Sequence, residues 1–318
     1  MSLPFANILK EKDGYKICFE IPLKFSIELI WKALTEANEL KLWFANADID
    51  LKKGGKISLY LKKGQNYESV IKIVQLIPNK LFEWNWDDDP VQWKLIKINE
   101  NETTLQLVYS KIHVNYLVDI ASRFHYILEL LVKKLEGNKT INSFEDPDAD
   151  IQLIPLKVHY NQILYSNYPE AVSHEPLSIQ QEFNVPLTEL WNALTQIDKI
   201  RHWYFPLNEF RPEKGFAFSF YGEGSNGSKY LHKCVVTRVE DLHCLQYNWV
   251  YEGIKGYTLL NFNLTGDDMK SALKLTHFGL ESFPQNNNDL KKESFEEGWA
   301  YIINTSLKGY LQKSNNEI

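Results

Sequence analysis

Two passages of this 318-residue chain repeat each other at an offset of 160 positions. IWKALTEANELKLWF occupies residues 30–44 and LWNALTQIDKIRHWY residues 190–204. Trp31 answers Trp191, Ala33-Leu34-Thr35 answers Ala193-Leu194-Thr195, and Trp43-Phe44 answers Trp203-Tyr204. The match continues downstream: LKKGGKISLY (51–60) falls opposite FRPEKGFAFSF (210–220), with Gly55 against Gly215. After a three-residue insertion KLFEWNW (80–86) meets HCLQYNW (243–249), and after a further shift TTLQLVY (103–109) meets SALKLTH (271–277). Each copy closes on a stretch with helical spacing, ASRFHYILELLVKKLEG and EEGWAYIINTSLKGYLQ. Solenoid repeats recur every ~20–50 residues, so this period means a duplicated domain. The chain is long enough for about two domains of ordinary size.

Periodicity orders the elements within a copy. YKICFEIPL alternates apolar and polar residues as a half-buried strand does. SIELIWKALTEANELKLWF follows, with Ser26 as N-cap and Ile27, Ile30, Trp31 and Leu34 at helical spacing. The repeated Thr35 and Thr195 are expected to cap a junction between two short helices. Short strands come next, punctuated by Lys53-Gly54-Gly55, Asp87-Asp88-Asp89-Pro90 and Gly266-Asp267-Asp268. A long amphipathic helix ends the copy. This is an α+β arrangement, with a curved antiparallel sheet closed by its last helix. The expected domains are residues 1–138 and 176–318, joined by a partly packed linker at 139–175. Asp146-Pro147-Asp148 marks the exposed part of that linker, whereas the apolar 151–165 is expected to pack on one domain as an added strand.

Charge narrows the function classes. Residues 1–145 hold 20 Lys and Arg against 19 Asp and Glu, and the remainder holds 15 against 22. Neither half has the basic excess of a nucleic-acid binder, and the same balance argues against a membrane surface. The N-terminus MSLPFANILKEKDG lacks the basic start and apolar core of a signal peptide. No run approaches the roughly 20 apolar residues of a membrane span. Three cysteines give no disulfide framework, which points to a reducing compartment and so to the cytoplasm.

Aromatic alternation is the main chemical feature. Phe82, Trp84 and Trp86 share one face of a strand, as do Leu245, Tyr247, Trp249 and Tyr251. Leu105, Leu107 and Tyr109 form a similar row, answered by Leu273, Leu275 and His277. Facing the closing helix, such rows either wall a small-molecule cavity or fill the core. Phe44 and Tyr204, at the helix exits, are expected at the cavity mouth. His277 is the candidate polar group inside, with His125 on the first closing helix as its weaker counterpart. Catalysis would require a partner for His277, a carboxylate or Tyr257, and no nucleophile is visible, so a binding role is expected. His232-x-Cys234 and His243-Cys244 lack zinc-type spacing, and no metal or cofactor is expected. The Gly222–Gly227 stretch lacks the lysine of a phosphate loop and reads as a hairpin. Asp87-Asp88-Asp89 lacks the spaced ligands of a calcium loop and reads as a solvated turn.

IWKALTEANELKLWF, GGKISLYL, LTHFGLESFP and GWAYIINTSLKGYL together resemble the SRPBCC superfamily, also called START-like or helix-grip proteins. The nearest branch by resemblance is that of homologues of the heat-shock protein 90 ATPase activator. The resemblance implies an antiparallel sheet wrapped around the C-terminal helix, with a cavity between them. It also implies a small apolar or amphipathic ligand, cyclase or hydrolase activity in some branches, or assistance to a chaperone. The second copy carries Leu275-Thr276-His277 and the Gly298-Trp299 that opens its last helix. In their place the first copy has Val108-Tyr109-Ser110 and an Arg123-Phe124 region. The expectation is therefore a cytoplasmic pair of helix-grip domains, of which the second binds a small apolar or aromatic molecule. Trp299 is counted among its cavity residues. A chaperone is the alternative partner, and an enzyme using His277 the third reading.

Overall fold

The computed structural model describes residues 3–60, 68–86, 89–138, 149–172, 174–225 and 227–314. The chain divides into two compact units, Met1–Tyr160 and Asn161–Ile318.

The first unit opens with a strand that the sequence did not announce, β1 (Asn7–Glu11), paired antiparallel with β2 (Gly14–Leu23). Two short helices follow, α1 (Ile27–Thr35) and α2 (Ala37–Leu40). Then come β3 (Asn46–Ile49), β4 (Lys56–Tyr60), β5 (Glu68–Ile77), β6 (Leu81–Trp86), β7 (Asp89–Asn99) and β8 (Glu102–Ile112). The long helix α3 (Leu117–Leu135) closes the copy. The strands form one antiparallel sheet in the order β1-β2-β8-β7-β6-β5-β4-β3. Register lines the inward residues into rows across it: Ile17–Tyr109–Val91–Trp84 and Phe19–Leu107–Trp93–Phe82, all buried.

Helix α4 (Ala149–Asn167) crosses the boundary between the units. The strand expected over 151–165 is thus a helix. Its apolar run fits either period, and the helical one wins through Leu153, Tyr160 and Leu164, buried at spacings of seven and four. Pro155 sits inside this helix and lowers the helical signal of the sequence. Tyr160 ties the segment into the first unit: its hydroxyl accepts from Ala6 N at 3.0 Å and lies 3.1 Å from His125 Nδ1. Asp146-Pro147-Asp148 lies outside the described residues.

The second unit contains β9 (Leu177–Phe183), α5 (Leu187–Thr195), α6 (Ile197–Ile200), β10 (Ala217–Glu223), β11 (Lys229–Glu240), β12 (Cys244–Tyr251), β13 (Thr258–Gly266) and β14 (Ser271–Phe278). Its closing helix is α7 (Lys292–Tyr301), a π-helical turn (Ile302–Leu307) and α8 (Lys308–Ser314) in succession. The sheet order β10-β11-β12-β13-β14-β9 reproduces β4-β5-β6-β7-β8-β2 of the first unit, which adds β1 and β3 at its edges. The equivalent rows are Leu177–His277–Leu260–Tyr247 and Ile179–Leu275–Phe262–Leu245. Both units are α+β helix-grip domains in tandem.

The duplicated phrase folds into duplicated bonds. Trp43 Nε1 donates to Ala33 O at 3.0 Å, and Trp203 Nε1 to Ala193 O at 2.9 Å. Thr35 Oγ1 donates to Trp31 O and Thr195 Oγ1 to Trp191 O, each at 2.7 Å. The threonines thus close the first helix by bonding back one turn, where a cap on the second was expected; Glu36 and Gln196 cap the second helices without side-chain bonds. No described helix is long and apolar enough to cross a membrane.

Candidate functional site

In the second unit the aromatic rows face the closing helix, and His277 joins the two. Trp299 of α7 donates from Nε1 to His277 Nδ1 at 3.1 Å, which leaves the imidazole proton on Nε2. His277 Nε2 then donates to Thr258 Oγ1 at 2.8 Å, and Thr258 Oγ1 donates to the Trp249 carbonyl at 2.8 Å. The relay spans α7, β14, β13 and β12, and His277 is wholly buried. Burial pushes its pKa down to about 3, so the ring is neutral at ordinary pH. Both ring nitrogens are engaged, so neither is open to a substrate.

Beside this relay lies a cavity of about 190 Å³ between the sheet and α7. Its deeper walls are rings: Trp249, Tyr251, Trp299, Phe295, Phe205 and His232. Trp249 and Trp299 meet edge to face at 5.4 Å. His232 stacks on Phe220 at 4.4 Å and burial lowers its pKa to about 4, so it is neutral as well. Gly298 and Ile302 of the closing helix complete the wall. A side-chain carbon added at Gly298 would meet no atom within 4 Å, so the helix leaves open space there. The π turn begins at Ile302, on the same wall.

The rim is polar. Asp289, just ahead of α7, accepts from Ser225 N at 3.1 Å, Ser225 Oγ at 2.6 Å and Tyr230 Oη at 2.9 Å. Asn287 Nδ2 donates to the same Tyr230 hydroxyl at 3.1 Å. The tip of the β10–β11 hairpin is thereby fastened to the segment that leads into the closing helix. The serine and tyrosine donors hold the Asp289 carboxyl below the usual range.

The family model of the Activator of Hsp90 ATPase homolog 1-like protein matches residues 24–136 and 184–312. The chain belongs to this family. Each matched segment takes in the helix pair, most of the sheet and the closing helix of one unit. Among solved structures, a conserved protein of unknown function from Enterococcus faecalis aligns at 18% identity over 51% of this chain and 91% of its own, with a TM-score of 0.43. DynU16, a protein in the dynemicin biosynthetic locus, aligns at 14% identity over 96% of this chain and 99% of its own, TM-score 0.37. The Aha1 dimer from Colwellia psychrerythraea aligns at 26% identity over 39% of this chain and 98% of its own, TM-score 0.35. No curated relative matches.

Within this Hsp90-activator-homologue fold, the expected site residues separate. Trp249, Tyr251 and Trp299 line the 190 Å³ cavity. Tyr204 and Tyr247 line a separate void of about 20 Å³, room for one water, and their hydroxyls lie 3.0 Å apart. Burial raises both phenols far above their ordinary range. Tyr257 lines neither space; its backbone N donates to Ser282 Oγ at 3.0 Å, and burial pushes its phenol up to about 12.

The four candidates on the first sheet and its closing helix, Trp84, Trp86, Tyr109 and His125, are held in ring packing. Tyr109 meets Phe124 of α3 at 5.2 Å and Trp86 meets the same ring at 6.5 Å. Phe44 is buried and stacks on Trp43 at 5.5 Å, so it does not reach a mouth. His125 sits beside Tyr160, and burial with His159 nearby lowers its pKa to about 4. Arg123, half-buried, holds the place that Gly298 holds in the second copy. A hollow of about 510 Å³ in this unit is lined by Leu3, Leu23, Phe25 and Val132 and by none of these candidates.

His232, Gly298, Phe205, Phe295, Tyr230 and Asp289 belong to the cavity without having been singled out as site residues. Gly298 alone carried a local signal, since a glycine inside a helical pattern needs a reason. Among the described residues no group of three His, Cys, Asp or Glu is placed to hold a metal. Cys244 pairs in register with Glu240, six residues along β11 from Cys234, so the hairpin keeps the two thiols on separate rungs. Cys244 Sγ donates to Asn261 Oδ1 at 3.2 Å instead. Asp87, Asp88 and Asn226 lie outside the described residues.

Proposed function

We propose that the second unit binds a small, largely aromatic molecule in the 190 Å³ cavity between its sheet and α7. Gly298 carries this reading. A glycine in mid-helix costs about 1 kcal/mol relative to alanine, and this one faces space that an added side chain would not contest. An engineered apolar cavity of about 150 Å³ takes up benzene, so the volume suits a single ring with a short substituent. Arg123 at the matching place in the first unit supports assigning the role to the second alone. The engagement of both His277 nitrogens favours binding over acid–base chemistry at that ring. The test is calorimetric titration of the full chain with indole, benzyl alcohol and related monocyclic probes. Saturable binding that disappears in Gly298→Leu, with the circular dichroism spectrum unchanged, is the expected result. Equal binding by Gly298→Leu would move the site elsewhere.

Family membership favours a second reading, contact between an outer surface and a heat-shock ATPase. Enrichment of that chaperone on the immobilised chain would support it, and a pull-down without enrichment would remove it. Cytoplasmic location, argued from the sparse cysteines and the mild charge, is part of the same proposal.

A further inference from the structure

Resting on the ligand-binding reading above, we propose that the cavity takes a small organic cation: a protonated amine or quaternary ammonium attached to a ring-sized apolar group. Two independent features point there. The walls present the rings of Trp249, Tyr251, Trp299 and Phe295, and the π face of an aromatic ring attracts cations. The rim presents Asp289, whose carboxylate is held by Ser225 N, Ser225 Oγ and Tyr230 Oη. All three donors are neutral. They fix the carboxylate in place without cancelling its charge, and none of the ion pairs among the described residues involves it.

The rest of the lining agrees. Glu223 also lines the cavity, and none of the described lining residues is Lys or Arg. Lys229 lies opposite Glu223 in the hairpin register but does not line the cavity. The one lining histidine, His232, is kept neutral by burial. A neutral aromatic ligand would gain only from the rings, an anion would be repelled by the rim, and an amine would gain from both. The acidic balance of residues 146–318 favours approach by the same sign of ligand.

Phenethylamine, 2-phenylethanol and phenylacetate differ little in size and differ in charge, and calorimetric titration of the full chain with all three tests the proposal. Phenethylamine should bind about tenfold tighter than 2-phenylethanol, a modest desolvated cation–π and ion-pair gain, with phenylacetate weakest. Raising the salt concentration should narrow the gap. In Asp289→Asn the ratio of amine to alcohol affinity should fall toward one, and in Glu223→Gln it should fall in part. Equal affinity for amine and alcohol in the native chain overturns the charge preference and leaves the cavity standing. A preference that survives both substitutions also overturns it. If none of the three probes binds, the ligand-binding reading fails and takes the inference with it.

Discussion

Trp299 Nε1 and His277 Nδ1, 3.1 Å apart, form the joint by which the closing helix of the second unit is hung on its sheet. Replacing His277 by alanine leaves the Trp299 N–H and the Thr258 hydroxyl buried without their partner and opens a hole. His277→Ala should therefore lose about 3–4 kcal/mol, read from urea unfolding. His277→Gln, able to accept and donate at once, should recover part of that loss. A change below about 1 kcal/mol would mean that the joint is not needed.

Buried neutral histidines make the chain acid-sensitive. His277 titrates near 3, and His125, His159 and His232 near 4, against about 6.5 in an unfolded chain. Their folded values are depressed, so below about pH 6.5 the unfolded state binds protons that the folded state refuses. Stability is whole above that pH and falls as pH drops toward 4, by up to about 1.4 kcal/mol per pH unit for each histidine. Urea midpoints at pH 7.5, 6.5 and 5.5 should fall progressively. A flat profile would contradict the burial of these rings.

Trp43 and Trp93 are both almost fully buried in the first unit but differ at the indole nitrogen. Trp43 donates to Ala33 O, whereas Trp93 Nε1 has no acceptor among the described residues. Trp→Phe removes similar apolar surface at each site. Trp43→Phe should cost about 1–2 kcal/mol more, because only there is a bond lost and a carbonyl stranded. Equal losses would show that the repeated indole bond contributes nothing.

Gly298→Ala should raise the stability of the second unit by up to about 1 kcal/mol, seen as a higher melting temperature. The added methyl meets open space. A lowered melting temperature would indicate that the helix needs its glycine for some reason other than room.

Sequence reading served the repeated architecture better than the site. The matches TTLQLVY to SALKLTH and KLFEWNW to HCLQYNW are borne out rung by rung, because alternation fixes which face of a strand is buried. The helix α4 was misread because a short apolar run with a proline does not declare its period. Edge strands β1 and β3 bury little and leave a weak pattern. Asp289, Tyr230 and Ser225 come from distant stretches of the chain and meet only after the sheet curls, so no local spacing could announce them. His277 was visible as a polar group in an apolar row, but its two partners were not, and those partners decide what it does.

The π turn at Ile302–Leu307 carries a further consequence for how this helix is read along its length. Each residue of an α-helix advances about 100° around the axis, and a wide turn holds one residue more than its neighbours expect. Leu307 and Leu311, both buried, are therefore phased to the wide turn and not to Trp299. Deleting one residue there would restore an ordinary helix and swing both leucines about a quarter-turn out of the core. The insertion that lets Gly298 and Ile302 border a hollow and the packing of the chain's last two turns are, in that sense, a single inherited choice.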